Sequence, residues 1–117
     1  MTTNLVDKHC KPCEGGVEPL SADQVQELRQ ALHEDWTLSD DGLEISRRFE
    51  FPAYSRSLGF ANAVAWIAIS EGHHPVLTLS YGSCDVSYTT HAIGGLSDND
   101  FICAAKVDRL AADGPCE

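Results

Sequence analysis

The chain has 117 residues, 43% of them apolar and 22% charged, with a net charge of −10. That is the composition of one ordinary globular domain, long enough for a core and short enough to gain from oligomerisation, so general disorder and a two-domain build are excluded. The eight Lys and Arg are scattered, with Arg47-Arg48 the only basic pair, which argues against direct binding to DNA or RNA; no stretch suits a membrane span or a signal core, and a cytoplasmic location is expected.

Residues 1–19 read as a mobile, polar N-terminal arm. Its Cys10-Lys11-Pro12-Cys13 is a C-x-x-C, but no strand precedes it and no second C-x-x-C follows, so a redox or zinc role is not expected there. The cysteines number five, an odd count, and Cys84 and Cys103 fall at apolar positions, as reduced core residues do.

Ser21 is a good N-cap before Val25, Leu28, Ala31 and Leu32, whose spacing predicts a first helix ending near His33 or Glu34. Trp36 to Leu38 and Leu43 to Phe49 flank Ser39-Asp40-Asp41-Gly42, an Asp-Gly turn that predicts a hairpin. Pro52 is expected to open a second helix with Tyr54, Leu58, Ala61, Ala65 and Ala68 on one face and Phe60, Val64 and Ile67 on another. The second stripe exceeds what is needed to cover a sheet and predicts a homo-oligomer interface, at which Val64→Glu would dissociate the assembly before unfolding the domain.

Val76 to Tyr81 and Cys84 to Thr90 are predicted as a second hairpin around Gly82-Ser83. In that register Leu77, Leu79 and Tyr81 oppose Tyr88, Val86 and Cys84 on an apolar face, while Thr78 and Ser80 oppose Ser87 and Asp85 on a polar one. His74 then meets His91 at the open end, with His73 beside it. Ser97 is expected to cap a third helix whose acidic first turn explains Asp100 structurally, and Gly114-Pro115 to end it. Residues 20–113 thus form the domain and 114–117 a tail. The fold class is α+β, in the order α-β-β-α-β-β-α, with three helices on one face of a four-stranded antiparallel sheet.

Glu71-Gly72-His73-His74-Pro75, Tyr81-Gly82, Thr90-His91 and Gly95-Leu96-Ser97-Asp98-Asn99-Asp100 together resemble the signature of the pterin-4a-carbinolamine dehydratase family, over roughly Ser21 to Leu110. The resemblance implies dehydration of 4a-hydroxytetrahydropterin to quinonoid dihydropterin in tetrahydropterin recycling. It further implies a homodimer or homotetramer, a functional link to phenylalanine hydroxylase, and no metal or other cofactor. Its catalytic histidines carry over to His73, His74 and His91, and substrate binding to His74, Pro75 and Thr90. Two departures stand out: an acidic residue usual four positions before the histidine pair is here Ile69, and an aliphatic residue of the second hairpin is here Cys84.

The chemistry needs an acid for the departing C4a hydroxyl and a base for the N5 proton. Histidine serves either way near neutral pH, contributing roughly 10² to 10⁴-fold. His73 and His91 are expected as acid and base and His74 as the group that orients the pterin, although the hairpin geometry itself pairs His74 with His91. Tyr81, Tyr88, Trp36 and Trp66 read as core, and Glu71 and Asp85 as solvated. Two other readings remain open: a three-histidine metal site and a non-catalytic dimerisation module.

Overall fold

The computed structural model describes residues 5–11 and 18–112. Its elements run α1 (Ala22–Arg29), β1 (Thr37–Leu38), β2 (Ile45–Glu50), α2 (Tyr54–Glu71), β3 (Val76–Ser80), β4 (Ser83–Tyr88) and α3 (Asp98–Ala112), in the predicted order. The four strands form one antiparallel sheet, ordered β1-β2-β4-β3. None of the described helices is long and apolar enough to cross a membrane.

Ser21 caps α1 as expected, and Gln24 completes a capping box by accepting from the Ser21 N–H at 2.8 Å. The helix stops earlier than its apolar spacing suggests. Ala31 and Leu32 tighten to carbonyls three residues back, and the His33 N–H turns to the Asp108 carboxylate at 2.9 Å.

The sheet separates its faces by strict alternation. Ile45 opposite Tyr88 and Phe49 opposite Cys84 are buried, while Ser46 opposite Ser87 and Arg48 opposite Asp85 form the open polar face. The apolar face joins Val25 and Leu28 of α1, Ala61 and Val64 of α2, and Phe101, Ile102, Ala104 and Val107 of α3 in one core. Trp36 closes its edge, 2% exposed, with its indole N–H on Asp108 at 2.6 Å.

The second hairpin differs from its predicted register by two residues. Leu79 opposes Cys84, Leu77 opposes Val86, and the two-residue turn is Tyr81-Gly82 instead of Gly82-Ser83. Tyr81 therefore projects from the turn at 71% exposure and is not core. Gly82 is selected by close approach: the Phe51 N–H donates to its carbonyl at 2.8 Å, and a Cβ on it would stand 3.3 Å from the Phe51 carbonyl oxygen. A shift of two residues preserves the face of every side chain, so the apolar and polar faces are those expected.

The second helix begins at Tyr54, with Pro52 in the bend before it and Ala53 as its cap. Its buried ridge is Ser57, Ala61, Val64 and Ala68, and Phe60 and Ile67 pack beside it. Val64 is fully buried, which overturns its placement at a subunit interface. The outward face carries Tyr54, Leu58, Trp66 and Ile69; Trp66, expected in the core, is 67% exposed.

Leu5–Lys11, read from sequence as part of an arm, lies along α3. Leu5–Asp7 is a 3-10 turn with Leu5 buried, and Lys106 donates to the Val6 carbonyl at 2.9 Å. Pro12, Cys13, Gly114 and Pro115 lie outside the described residues.

Candidate active site

Three chain reversals bring the site together. Gly72 ends α2 at φ +68°, a left-handed conformation that favours glycine, and the chain turns directly into His73 and His74 ahead of β3. Beyond β4 the chain folds into a 3-10 turn, His91–Ile93, instead of continuing as a strand to His91. Thr90 then pairs with Gly95 through N–H···O of 2.9 Å, folding the start of α3 back onto the end of β4.

The result is a cavity of about 210 Å³ lined by Gly72, His73, His74, Thr89, Thr90, His91, Ala92, Asn99 and Lys11. All three predicted histidines meet here, although His74 and His91 are not the cross-strand pair foreseen. Both are exposed, whereas the His73 side chain is 12% exposed. Pro75 does not line the cavity. Thr90 does, but its hydroxyl is engaged within the protein: 2.7 Å from Asp100 Oδ2 and 2.7 Å from Ser97 Oγ.

Asp100 is the residue whose role the sequence reading missed. It is fully buried, and its Oδ1 lies 2.6 Å from His73 Nε2. Its Oδ2 accepts from the Thr90 hydroxyl and, at 2.9 Å, from the Ser97 N–H. The first-turn explanation therefore holds, and a second role is added to it. A carboxylate in this position can only accept, so the hydrogen of His73 sits on Nε2 and Nδ1 is the nitrogen with a free lone pair. The ring is also stacked on Tyr88, centroids 5.9 Å apart and planes at 13°. Asp100 thus supplies the carboxylate that Ile69 cannot. The sequence signals for it were its place at the end of the Gly95 to Asp100 motif and its position early in a helix that follows Thr90-His91 closely.

Glu71, read as solvated, is 7% exposed at its side chain. Burial works to raise its carboxyl, but the Cys10 N–H at 2.7 Å, His9 at 3.0 Å and Lys106 at 3.5 Å outweigh burial and hold it below the ordinary range. It anchors the N-terminal segment and does not line the cavity. Asp85 faces Arg48 across the open side of the sheet at 2.8 Å. Among the described residues no three or more His, Cys, Asp or Glu are grouped so as to hold a metal ion.

Residues 18–110 match the family model for pterin 4 alpha carbinolamine dehydratase. The chain belongs to this family. A putative pterin-4-alpha-carbinolamine dehydratase of Nitrosomonas eutropha is 53% identical, covering 92% of this chain and 93% of that one. One from Legionella pneumophila (strain Lens) is 44% identical over 97% of this chain and all of its own. Among solved structures, a transcriptional coactivator/pterin dehydratase from Brucella melitensis superposes with a TM-score of 0.75 at 30% identity, covering 80% of this chain and 99% of that one. A pterin dehydratase-like protein identified as a RuBisCO assembly factor in the alpha-carboxysome shares the fold at TM-score 0.59 and 22% identity. The matched span contains His73, His74, His91 and Asp100.

Proposed function

We propose that the protein dehydrates a 4a-hydroxytetrahydropterin to the quinonoid dihydropterin, by acid-base catalysis in the histidine cavity. The observation that carries this reading is His73, fixed by a fully buried carboxylate in a cavity it shares with two exposed imidazoles. Asp100 orients His73 through the 2.6 Å contact at Nε2, which leaves Nδ1 to accept a proton as a general base does. In this reading His73 accepts the N5 proton, His91 protonates the departing C4a hydroxyl, and His74 holds the pterin's polar edge. Thr90 acts through Asp100. Its hydroxyl donates to Asp100 Oδ2 at 2.7 Å, and in this reading Pro75 positions His74 along the chain.

A stopped-flow assay on a chemically generated carbinolamine tests this directly. His91→Ala should lower turnover by about one to three orders of magnitude with no loss of stability, because the ring is exposed. His73→Ala should lower turnover as much and also destabilise the fold, since it strands a buried carboxylate. The double variant should lose less than the product of the two. Near-wild-type turnover in both single variants would remove the acid-base assignment. Turnover that survives chelator treatment excludes the metal-site reading, and absent turnover in well-folded protein would favour the dimerisation module.

The family relationship supports a place in tetrahydropterin recycling beside an aromatic amino acid hydroxylase such as phenylalanine hydroxylase. It also supports a homodimer or homotetramer, with the interface moved to the outward face of α2. Trp66→Glu and Ile69→Glu should each shift the assembly toward monomer by sedimentation, and should leave the melting temperature of the dissociated domain nearly unchanged. Unchanged sedimentation in both would exclude that face.

A further inference from the structure

We propose that Cys10 and Cys103 form a modification site at which hydrogen peroxide oxidises the two thiols to a disulfide, fastening the N-terminal segment to α3 beside the histidine cavity. The two sulfurs are 3.5 Å apart, although the residues are far separated in sequence. A disulfide needs about 2.0 Å between sulfurs, so closure asks for an approach of roughly 1.5 Å.

The segment carrying Cys10 is already held in place. The Cys10 N–H donates to Glu71, the Lys11 N–H donates to Asn99 Oδ1 at 3.0 Å, and Asn99 Nδ2 donates back to the Lys11 carbonyl at 2.6 Å. Neither thiol has a stronger partner: Cys10 Sγ lies 3.7 Å from the Asn99 carbonyl oxygen, and Cys103 Sγ lies 3.9 Å from that of His73. The site is therefore one residue from Lys11 and in contact with the backbone of His73, both of which line the cavity.

Accessibility sets the order of events. Cys103 is buried and Cys10 only partly so. Burial shields the Cys103 sulfur, so Cys10, the more accessible of the two, meets the oxidant first. The peroxide O–O bond breaks, one oxygen adds to the Cys10 sulfur as a sulfenic acid, and the other leaves as water. The Cys103 sulfur then attacks the Cys10 sulfur, the S–O bond breaks, and the hydroxyl leaves as a second water with the Cys103 proton. Two thiols lose two electrons and one peroxide gains them. This gives Cys10 a task that the dehydratase reading does not supply, and the task does not depend on that reading.

The test is peptide mapping of the reduced full-length protein after treatment with an equivalent of hydrogen peroxide, with free thiols alkylated before digestion. The expected main product is a Cys10–Cys103 linked peptide that dithiothreitol reverses, that persists in Cys13→Ser, and that is lost in Cys10→Ser. A Cys10–Cys13 bond as the main product would overturn the proposal. So would Cys10 advancing to sulfinic acid while Cys103 stays reduced, or a link that forms only in denaturant.

Discussion

Replacing Asp100 by asparagine should cost about 10²-fold in turnover while changing KM little. The two side chains have nearly the same shape, so the cavity lined by the histidines keeps its form. The hydrogen-bond balance does not survive. Asp100 receives a hydrogen from His73 Nε2 on one oxygen, and from the Thr90 hydroxyl and the Ser97 N–H on the other. An asparagine must turn its NH₂ toward one of these groups of donors. Facing His73, it forces the imidazole into the other tautomer, with the hydrogen moved to Nδ1, the nitrogen that should accept the substrate proton. Facing Thr90 and Ser97, it opens the first turn of α3. In this second arrangement buried donors face one another unmatched, at about 1–3 kcal/mol. A stopped-flow measurement of kcat and KM, alongside a melting curve, separates the outcomes. A fall in kcat well beyond what the melting shift explains supports Asp100 as the positioning residue for His73; wild-type kcat in a folded variant would leave His73 unassisted.

The architecture was legible because its signals are local. The Ser21 cap, the Asp-Gly turn and the alternation of Ile45 to Phe49 each follow from a few adjacent residues, and each appears in the structure. The second hairpin shows the limit of such reading. Gly82-Ser83 looks like a two-residue turn by composition, but Gly82 is a glycine because the Phe51 backbone comes close to it, a contact made far along the chain. The faces survived the error since strand parity did. The histidine cavity was legible as a set of residues and not as a geometry: His91 leaves the strand for a 3-10 turn, and His73 rather than His74 carries the buried anchor.

What stayed illegible depends on contacts between distant segments. Asp100 satisfies every local criterion of a helix-start aspartate, and nothing within its own turn announces that His73 lies against its other oxygen. Glu71 reads as a polar residue ending a helix, and only the return of Cys10 and His9 buries it. The Leu5–Lys11 segment has no periodicity at all. It is held by Lys106, Glu71 and Asn99 on other elements, so its placement exists only once α2 and α3 are packed.

Val64→Glu should unfold the domain instead of dissociating it. The second helix is apolar on two sides, and periodicity alone does not say which side meets the sheet. Ser57 decides the matter. It lies on the buried ridge, fully enclosed, with its hydroxyl donating to the Tyr81 carbonyl at 3.0 Å, so a polar residue marks the inner face and disguises it. Val64 stands on the same ridge with no solvent exposure. A glutamate there must either carry an unpaired charge into the core or take up a proton and displace its neighbours, at a cost of about 4–5 kcal/mol or more. Domains of this size are stable by only about 5–15 kcal/mol, so the variant should be largely unfolded or melt far below the wild type by circular dichroism. Val64→Ala, which only removes volume, should cost about 1–3 kcal/mol in urea titration. A Val64→Glu protein that keeps its wild-type melting temperature and sediments as a monomer would instead place this ridge at a subunit boundary.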